Sequence, residues 1–381
     1  MNRQPVVIIG SGLAGYTLAR EFRKLDGESA LTIISTDHGG FYSKPMLSNA
    51  FAQNKSVAAL LNKSAAQMAD ELKAEIITNA YVTSIDPAKR QLTLNDLTRC
   101  YSRLVLSVGA DPIRLSLQGN GADAVLSVND LDDYGRFRAA IEGKHEIVIL
   151  GAGLIGCEFA SDLAGAGYSV RVINPGTQVL GSLLPPQAGT FMQRRLEAKG
   201  IRFELGTTAQ KVERVGDRLR LTLANGDAIE ADAVLSAAGL RPRTSLAKAA
   251  GISVQRGIVV DAFLQTNLAA IYALGDCAEA NGKVQPFVMP IMHGARALAA
   301  TLTGNPTAVA YPHMPVTVKT PDCPTVIVPP EPDTAGEWSI TEYEEGLGAL
   351  FSGPDGTLLG FVVQGAATAE KNRLTQQLGH P

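Results

Sequence analysis

Hydrophobic and polar positions near the start of the chain follow a strand, turn, helix and strand order. The run Pro5–Ile9 is short and rich in β-branched residues, it ends at Gly10, and the stretch Leu13–Lys24 that follows reads as a helix. The run Ala30–Ser35 supplies a second strand. Together these segments predict a βαβ unit of the usual size, about 30 residues.

The same pattern returns later in the chain. Glu146–Leu150 is again an apolar strand, Gly151–Gly156 a glycine turn, Leu154–Ala164 a helix and Ser169–Asn174 a second strand. A chain of 381 residues also exceeds the ordinary domain size of about 100–200 residues. The repetition therefore predicts two nucleotide-binding domains.

Further apolar runs extend both predicted sheets. Leu104–Ser107 and Ala233–Ser236 read as apolar strands, and each is followed closely by glycine. The alternating segment Arg218–Leu223 predicts one arm of an antiparallel hairpin closed by Asn225–Gly226.

The C-terminal part of the chain changes character. From about Pro312 prolines crowd, and the strand-like runs are short, as at Val316–Val318 and Thr325–Val328. We expect a small α+β domain there, so that the fold class is α/β with two Rossmann-like dinucleotide-binding domains and a small C-terminal domain. The predicted boundaries are 1–111 with 237–312 for the first domain, 112–236 for the second and 313–381 for the third.

Charge and hydropathy disfavour two kinds of partner. The net charge is −3 and lysine and arginine are scattered, so a nucleic-acid partner is not expected. The apolar runs stay below the roughly 18 residues of a membrane span. The run Pro5–Ala19 resembles a signal peptide only superficially, because its glycines recur regularly and it continues into the charged segment Arg20–Lys24. We therefore expect a cytoplasmic protein.

The cysteines do not form a redox motif. Cys100, Cys157, Cys277 and Cys323 are far apart in the sequence and include no C-x-x-C pair. Electron transfer through an active-site disulfide needs two thiols close enough to exchange. We expect reduced, buried thiols and no metal site.

The first glycine turn, Gly10–Gly15, is a G-x-G-x-x-G motif that follows a strand and opens a helix. In this motif the first glycine permits the tight turn, the second lets the backbone approach a pyrophosphate, and the third lets helix and strand pack closely. The helix N-terminus offers free N–H groups to the negative charge. The cofactor-binding residues predicted here are Gly10, Ser11, Gly12, Leu13 and Gly15.

One contact departs from the usual pattern. An acidic residue commonly follows the second strand, where it accepts a hydrogen bond from a ribose hydroxyl. Ser35 and Thr36 occupy that place, and Asp37 is adjacent. We expect the two hydroxyls to bind the ribose, with a neutral or shifted contact.

The second glycine turn, Gly151–Gly156, repeats the motif and implies a second dinucleotide. Its second strand ends at Asn174, where a glutamate would favour NAD and an arginine the 2′-phosphate of NADP. Because no arginine follows Asn174 within several residues, NADH is favoured. The predicted contacts are Gly151, Gly153, Leu154, Ile155 and Gly156.

The string Thr266–Asp276, with Ile271-Tyr272-Ala273 before Gly275-Asp276, resembles the second FAD signature of the pyridine-nucleotide-disulfide oxidoreductase superfamily. The order of the glycine turns and of the segments ending at Gly109 and Gly239 is similar to that superfamily over roughly residues 5–312. The resemblance implies a glutathione-reductase-like fold and FAD contacts at Val82, Gly109, Gly239, Gly275 and Asp276. The alternative for Asp276 is an N-cap of the next helix.

The segment Tyr42–Ser48 resembles the Y-x-[RK]-P-x-L-S stretch of the rubredoxin and ferredoxin reductase branch, which has no redox cysteine there. The resemblance implies that Lys44 and Pro45 approach the flavin and that Glu158 lies near the flavin and nicotinamide rings. Lys44 and Glu158 are the predicted catalytic pair. The alternative is a solvated Lys44 and a first-turn helix carboxylate at Glu158.

The stretch Pro315–Pro321 resembles the part of bacterial rubredoxin reductases in which a lysine reaches FAD from the third domain. The resemblance assigns that role to Lys319 and implies rubredoxin as the electron acceptor. The expected reaction is reduction of FAD by NADH followed by two one-electron transfers to the iron of rubredoxin.

Two other functions stay open. A ferredoxin reductase of an oxygenase system would carry almost the same motifs, and a redox-sensing flavoprotein similar to apoptosis-inducing factor would share the fold. The acceptor that the resemblance implies is an acidic rubredoxin, so this net acidic chain would need positive residues locally to dock it, and the candidates are Lys44, Arg241, Arg243 and Lys319.

Overall fold

The protein was studied as a computed structural model that describes residues 4–379. The chain divides into two compact units, and neither is continuous in sequence. The first unit comprises Met1–Lys44, Ala58–Asp111 and Leu240–Tyr311, and the second comprises Pro45–Val57, Pro112–Gly239 and Pro312–Pro381. The three-domain boundaries drawn from the sequence stay a prediction.

The first unit is built on a five-stranded parallel sheet. Its strands, in spatial order, are Ile271–Ala273, Arg103–Leu106, Val6–Ile9, Leu31–Ile34 and Glu75–Ile77. The helices of this unit are Leu13–Leu25, Ala65–Leu72, Ser245–Ala249 and Val288–Leu302. Apart from the edge strand Glu75–Ile77, the strands are almost fully buried, which is why they read as continuous apolar runs rather than as alternating ones.

Smaller sheets complete the first unit. One is antiparallel and contains Val82–Asp86, Gln91–Leu94 and Leu97–Cys100; another contains Ile258–Val260, Ala278–Ala280 and Lys283–Val284; a third pairs Phe41–Tyr42 with Leu61–Lys63. Three further elements lie at boundaries of the chain ranges: the 3₁₀ helix Lys44–Asn49, the helix Val57–Leu60 and the strand pair Ala110–Pro112 with Leu240–Pro242.

The second unit contains a similar parallel sheet. Its strands, in spatial order, are Val125–Leu126, Ala233–Ser236, Glu146–Leu150, Ser169–Asn174 and Arg202–Leu205. Its helices are Leu131–Ala140, Leu154–Gly165 and Pro186–Glu197, with the 3₁₀ turn Ala122–Ala124. An antiparallel sheet of Ala209–Val215, Arg218–Leu223 and Ala228–Ala231 packs beside it.

The C-terminal segment adds an antiparallel sheet to the second unit. Its strands, in spatial order, are Val316–Val318, Thr325–Val328, Leu358–Gly365, Gly346–Ser352 and Glu337–Tyr343, followed by the 3₁₀ helix Ala366–Glu370 and the helix Lys371–Gln377. Val326, Phe361 and Leu374 form its small core. An ion pair between Lys199 and Asp322, 3.1 Å long, connects this segment to the helix region 186–199.

The predicted elements are present with small changes in their bounds. The strands Glu146–Leu150 and Ser169–Asn174 have their predicted ends. The first helix ends at Leu25 instead of Lys24, and the strand predicted at Ala30–Ser35 is Leu31–Ile34. Gly226, in the loop between the strands Arg218–Leu223 and Ala228–Ala231, is at φ +91°, a left-handed conformation that favours glycine. Within residues 4–379, no helix combines the length and apolar character needed to span a bilayer.

Candidate functional site

The first glycine turn has the backbone geometry of a pyrophosphate-binding loop. Gly10 lies at φ +113°, where an L side chain would be strained. A Cβ on Gly15 would collide with the carbonyl oxygen of Gly10, so only glycine allows the helix to start this close to the strand. By contrast, a Cβ on Gly12 would meet no atom within 4 Å. The space beside Gly12, at the N-terminus of the helix Leu13–Leu25, is therefore open.

That open space suits a negatively charged group. Gly12 caps the helix Leu13–Leu25 without a side-chain hydrogen bond, and the first turn contains no acidic residue. The N–H groups at the helix start are thus directed outward without a competing carboxylate. The residues present fit the pyrophosphate of a dinucleotide.

A chain of three polar side chains lies at the same edge of the sheet. Ser11 Oγ and Ser35 Oγ are 2.5 Å apart, and Ser35 donates to Asp37 Oδ1 at 2.5 Å. Asp37 also accepts from the backbone N–H of Gly39 at 2.7 Å. Ser35 is buried and Thr36 is exposed. The missing acidic residue is thus replaced by a serine whose hydroxyl is oriented by a carboxylate two positions later.

Asp276 lies at the end of the edge strand of this sheet. Gly275 is at φ +86°, and a Cβ there would lie 2.7 Å from the Cβ of Ala14 in the first helix. Burial raises the pKa of the Asp276 carboxyl, while the nearby Lys44 ammonium lowers it. The segment after Asp276 is the strand Ala278–Ala280, so the N-cap alternative is wrong.

Two further predicted FAD contacts lie in the first unit. Gly109 is at φ +72°, and its carbonyl accepts from the N–H of Arg243 at 3.0 Å. Val82 is half-buried at the start of an antiparallel strand. Arg241 and Arg243 are both exposed. Arg243 forms an ion pair with Asp111 at 2.7 Å, which compensates its charge.

The second glycine turn reproduces the first. Gly151 is at φ +117°, a Cβ on Gly156 would collide with the carbonyl oxygen of Gly151, and a Cβ on Gly153 would meet no atom within 4 Å. The helix that starts at Leu154 again has neither a side-chain cap nor an acidic first turn. Ile155 is 41% exposed beside this opening. The same anion-binding geometry is therefore present in both units.

Asn174 orders this turn. Its Oδ1 accepts from the N–H of Ala152 at 3.1 Å, and its Nδ2 donates to the carbonyl of Gly176 at 3.1 Å. Two buried hydroxyls at the same edge of the sheet, Ser236 Oγ and Thr207 Oγ1, have no hydrogen-bond partner among the described residues. Polar atoms at this edge, with glycine-lined space beside them, fit a polar ligand such as a dinucleotide.

Glu158 lies at the centre of a buried polar cluster. Its side chain is fully buried. Oε2 accepts from Ser48 Oγ at 2.6 Å and from Lys319 Nζ at 2.5 Å, and Oε1 accepts from the backbone N–H of Lys319 at 2.9 Å. Glu158 is the fifth residue of its helix, so the alternative of a first-turn carboxylate is wrong.

Lys319 makes as many hydrogen bonds as its ammonium group allows. Besides Glu158, Nζ donates to the carbonyl oxygen of Pro45 at 2.7 Å and to Ser48 Oγ at 3.1 Å. An ammonium has three N–H bonds, and all three have protein acceptors in this arrangement. The lysine therefore connects the C-terminal segment, the Pro45–Ser48 turn and the helix that carries Glu158.

The structure thus groups the predicted site residues into separate sets. Pro45, Glu158 and Lys319 meet in one cluster, and Lys44 interacts electrostatically with Asp276. Glu158 forms an ion pair with Lys319, while the prediction that Lys44 and Glu158 act together stays untested. Gly239, at φ +105°, follows the strand Ala233–Ser236.

Ser48 was not assigned from the sequence, although it ends the Tyr42–Ser48 motif. Asp162 was also missed. The signal for Asp162 was a second carboxylate four residues after Glu158 in an otherwise apolar helix, which places both on one face.

Cys157, Cys277 and Cys323 are buried as expected, whereas Cys100 is half-buried. Burial raises the pKa of the Cys157 thiol to about 12 and those of Cys277 and Cys323 to about 11. All four cysteines are free. Within residues 4–379, no group of three metal-binding side chains is found.

The chain is similar to known proteins over almost its whole length. Residues 4–299 match the family described as pyridine nucleotide-disulphide oxidoreductase, and residues 308–378 match the rubredoxin binding C-terminal domain. The chain is 46% identical over 376 residues to the rubredoxin-NAD(+) reductase of Alcanivorax borkumensis, with 98% of each chain covered. It is 48% identical over 379 residues to the rubredoxin-NAD(+) reductase of Acinetobacter baylyi, covering 97% of this chain and 96% of that one.

A solved structure with the same fold is the ferredoxin reductase for the CYP199A2 system of Rhodopseudomonas palustris. Its TM-score is 0.89 at 26% sequence identity, and the match covers 99% of this chain and 96% of that chain. The predicted resemblance and the predicted fold class are confirmed.

Proposed function

The chain belongs to the pyridine nucleotide-disulphide oxidoreductase family, and from this premise we propose that it is an FAD flavoprotein that transfers electrons from NADH to rubredoxin. One observation carries the proposal: a chain with two glycine turns of pyrophosphate-binding geometry ends in a segment that matches the rubredoxin-binding domain. The names of two relatives at 46% and 48% identity support it.

The first unit would hold FAD. Gly10 and Gly15 allow the tight turn and the close packing of helix and strand, and Gly12 leaves room for the pyrophosphate. The buried Ser35 hydroxyl, oriented by Asp37, would bind the adenosine ribose. Asp276 would accept hydrogen bonds from the polar chain of the flavin. Its raised pKa reflects the cost of burying the carboxylate, which a hydroxyl donor would offset.

The second unit would hold NADH. Gly153 opens the helix start for the second pyrophosphate, and Asn174, which carries no charge, lies where a ribose 2′-hydroxyl would bind. No arginine or lysine lies among residues 175–183, and Arg171, three residues before Asn174, is paired with Glu204 at 3.0 Å. A 2′-phosphate at this position would lack a cationic partner, so the proposal is specific for NADH.

Bound FAD would supply the redox chemistry, which couples a two-electron donor to a one-electron iron carrier. The protein provides position and charge. Glu158 and Lys319 would set the position and the local charge at the ring end of the dinucleotide pocket, and they need not exchange a proton with the substrate. Lys44 would contribute a further positive charge near the flavin.

We include a cytoplasmic location in the proposal. All four cysteines are free thiols, and such thiols persist in a reducing compartment. The use of NADH as the electron donor also supports a cytoplasmic location.

The test is anaerobic stopped-flow absorbance of the purified yellow protein. It is mixed with NADH or NADPH and then with oxidised rubredoxin or a [2Fe–2S] ferredoxin. Loss of the flavin absorbance with NADH, and its rapid return with rubredoxin, would support the proposal.

Two other outcomes are informative. A faster return of absorbance with ferredoxin would favour the second candidate, which is suggested by the similarity to the Rhodopseudomonas palustris ferredoxin reductase. Absorbance that stays low with both carriers would contradict an electron-transfer role and favour a redox sensor.

A further inference from the structure

The helix Leu154–Gly165 carries two buried carboxylates, Glu158 and Asp162, that are 0% and 5% exposed. Their spacing of four residues places them on the same face, one turn apart. Two like charges in this arrangement repel each other, and each loses hydration on burial. Other groups must therefore compensate both charges.

Asp162 obtains its compensation from backbone N–H groups. Oδ2 accepts from the N–H of Phe51 and Oδ1 from the N–H of Ala52, both at 2.9 Å. Burial raises the pKa of Asp162, and the backbone hydrogen bonds and the Lys319 charge lower it again. Both oxygens of one carboxylate are thus used to hold two successive residues of another segment.

The segment Pro45–Val57 depends on such side chains because it has no strand partner. Its 3₁₀ helix ends at Asn49 and a turn follows. Glu158 holds it at Ser48 and Asp162 holds it at Phe51 and Ala52. Packing adds a third attachment, since the Phe51 ring lies 5.2 Å from the ring of Tyr134.

We propose that Asp162 is a positioning residue for the electron-transfer reaction: by fixing Phe51 and Ala52, it places Ser48 so that Glu158 and Lys319 keep their orientation. The inference rests on the proposed function, in which Glu158 and Lys319 lie at the ring end of the pocket. The Asp162 carboxylate binds the backbone N–H groups of Phe51 and Ala52. Its effect passes through the backbone of residues 48–52.

Asp162→Asn is the informative variant. The amide retains one acceptor oxygen, but its NH₂ group would face a backbone N–H, and two donors cannot bond. The control is Asp232→Asn. Asp232 also accepts from two successive backbone N–H groups, those of His145 and Glu146, but it lies at the opposite end of the strand Glu146–Leu150 from the glycine turn.

Hydrogen exchange measures the first step. In Asp162→Asn we expect exchange over residues 45–52 to accelerate on the order of tenfold, because a buried donor has lost its acceptor. In Asp232→Asn this segment should be unchanged. Unaltered exchange over 45–52 in Asp162→Asn would overturn the inference.

Stopped-flow absorbance measures the second step. The limiting rate of flavin bleaching by NADH should fall by about tenfold in Asp162→Asn, since displacement of positioning groups slows the reaction more than it weakens binding. The control should retain the wild-type rate. Faster exchange with an unchanged limiting rate would also overturn the inference.

A double variant separates positioning from general destabilisation. Ser48→Ala removes the hydroxyl through which Asp162 is proposed to act. If the inference is correct, Asp162→Asn with Ser48→Ala is no slower than the slower single variant. Multiplied effects would contradict it. If Asp162→Asn does not yield folded protein, Asp162→Glu replaces it, because it keeps both acceptor oxygens but displaces them.

The proposed function and this inference fail differently. If the wild type is not bleached by NADH, the proposed function fails. The exchange comparison then decides whether Asp162 holds Ser48: acceleration over residues 45–52 supports it, and no acceleration refutes it.

Discussion

Replacement of Lys319 by methionine would test the buried cluster most directly. Methionine keeps the length and apolar stem of the lysine but removes its charge and three donors. Glu158 would stay fully buried and would lose one of its three hydrogen bonds, while those from Ser48 and from the backbone N–H of residue 319 would remain. The substitution thus leaves a buried carboxylate without its cation.

The magnitude follows from that geometry. Breaking a buried ion pair by removing one partner commonly costs about 3–5 kcal/mol. The Lys319 side chain is 30% exposed, and two donors to Glu158 persist, so we expect a smaller loss, about 2–3 kcal/mol. For domains of 150–250 residues each kcal/mol lowers the Tm by about 2–4 °C, which predicts a decrease of about 4–12 °C.

Thermal unfolding of the FAD-bound protein would measure this decrease, with Glu158→Gln and the double variant as the other corners of a cycle. Glu158→Gln should cost less than Lys319→Met, because the freed ammonium can reach solvent. The double variant has no buried charge and should be more stable than Lys319→Met alone. A Tm for Lys319→Met equal to that of the wild type, or a double variant that loses the sum of the single effects, would refute this reasoning.

Three further outcomes are expected. Gly153→Ala should fold with an unchanged Tm, because its Cβ meets no protein atom. It should raise the KM for NADH by about tenfold or more, measured by steady-state kinetics, because the methyl group fills the pyrophosphate space. The control Gly27→Ala, which also places its Cβ in open space, should leave the KM unchanged. Glu71 binds Arg20 and Lys63, which lower the pKa of its carboxyl from 4.5 to about 2. The contribution of Glu71 to stability is therefore present above pH 4.5 and is lost as the pH falls toward 2. The difference in Tm between the wild type and Glu71→Gln should shrink over that range. At pH 8 in the native protein, iodoacetamide should leave the thiols with raised pKa values unmodified, namely Cys157, Cys277 and Cys323; mass spectrometry that finds them labelled before unfolding would contradict their burial.

Local patterns in the sequence were sufficient for the two glycine turns. The strand before Gly151 and the strand that ends at Asn174 have their predicted bounds, because a buried parallel strand requires a continuous apolar run. The conformations of Gly10 and Gly151 follow from the same local rule, since the tight turn needs a positive φ. Fold class and cofactor class could therefore be predicted without the structure.

The chemical role of Asp276 needed more than the local pattern. An aspartate after a strand is compatible with a helix cap or a ligand contact. The strand order adds its position in the fold, because Ile271–Ala273 pairs with Arg103–Leu106, and that strand pairs with Val6–Ile9. Asp276 is thereby brought to the same edge as the first glycine turn.

The sequence by itself determined which segments form strands, turns and helices. It thereby also determined that the chain has two dinucleotide pockets. Only the tertiary structure decided that Glu158 pairs with Lys319, 161 residues away, and with Ser48, 110 residues away. Hydrophobic period and turn chemistry act over a few residues, whereas the partner of a buried charge depends on which segments packing brings together. The sequence shows that Asp162 is a carboxylate on a buried helix face, but only the fold shows that it holds Phe51 and Ala52.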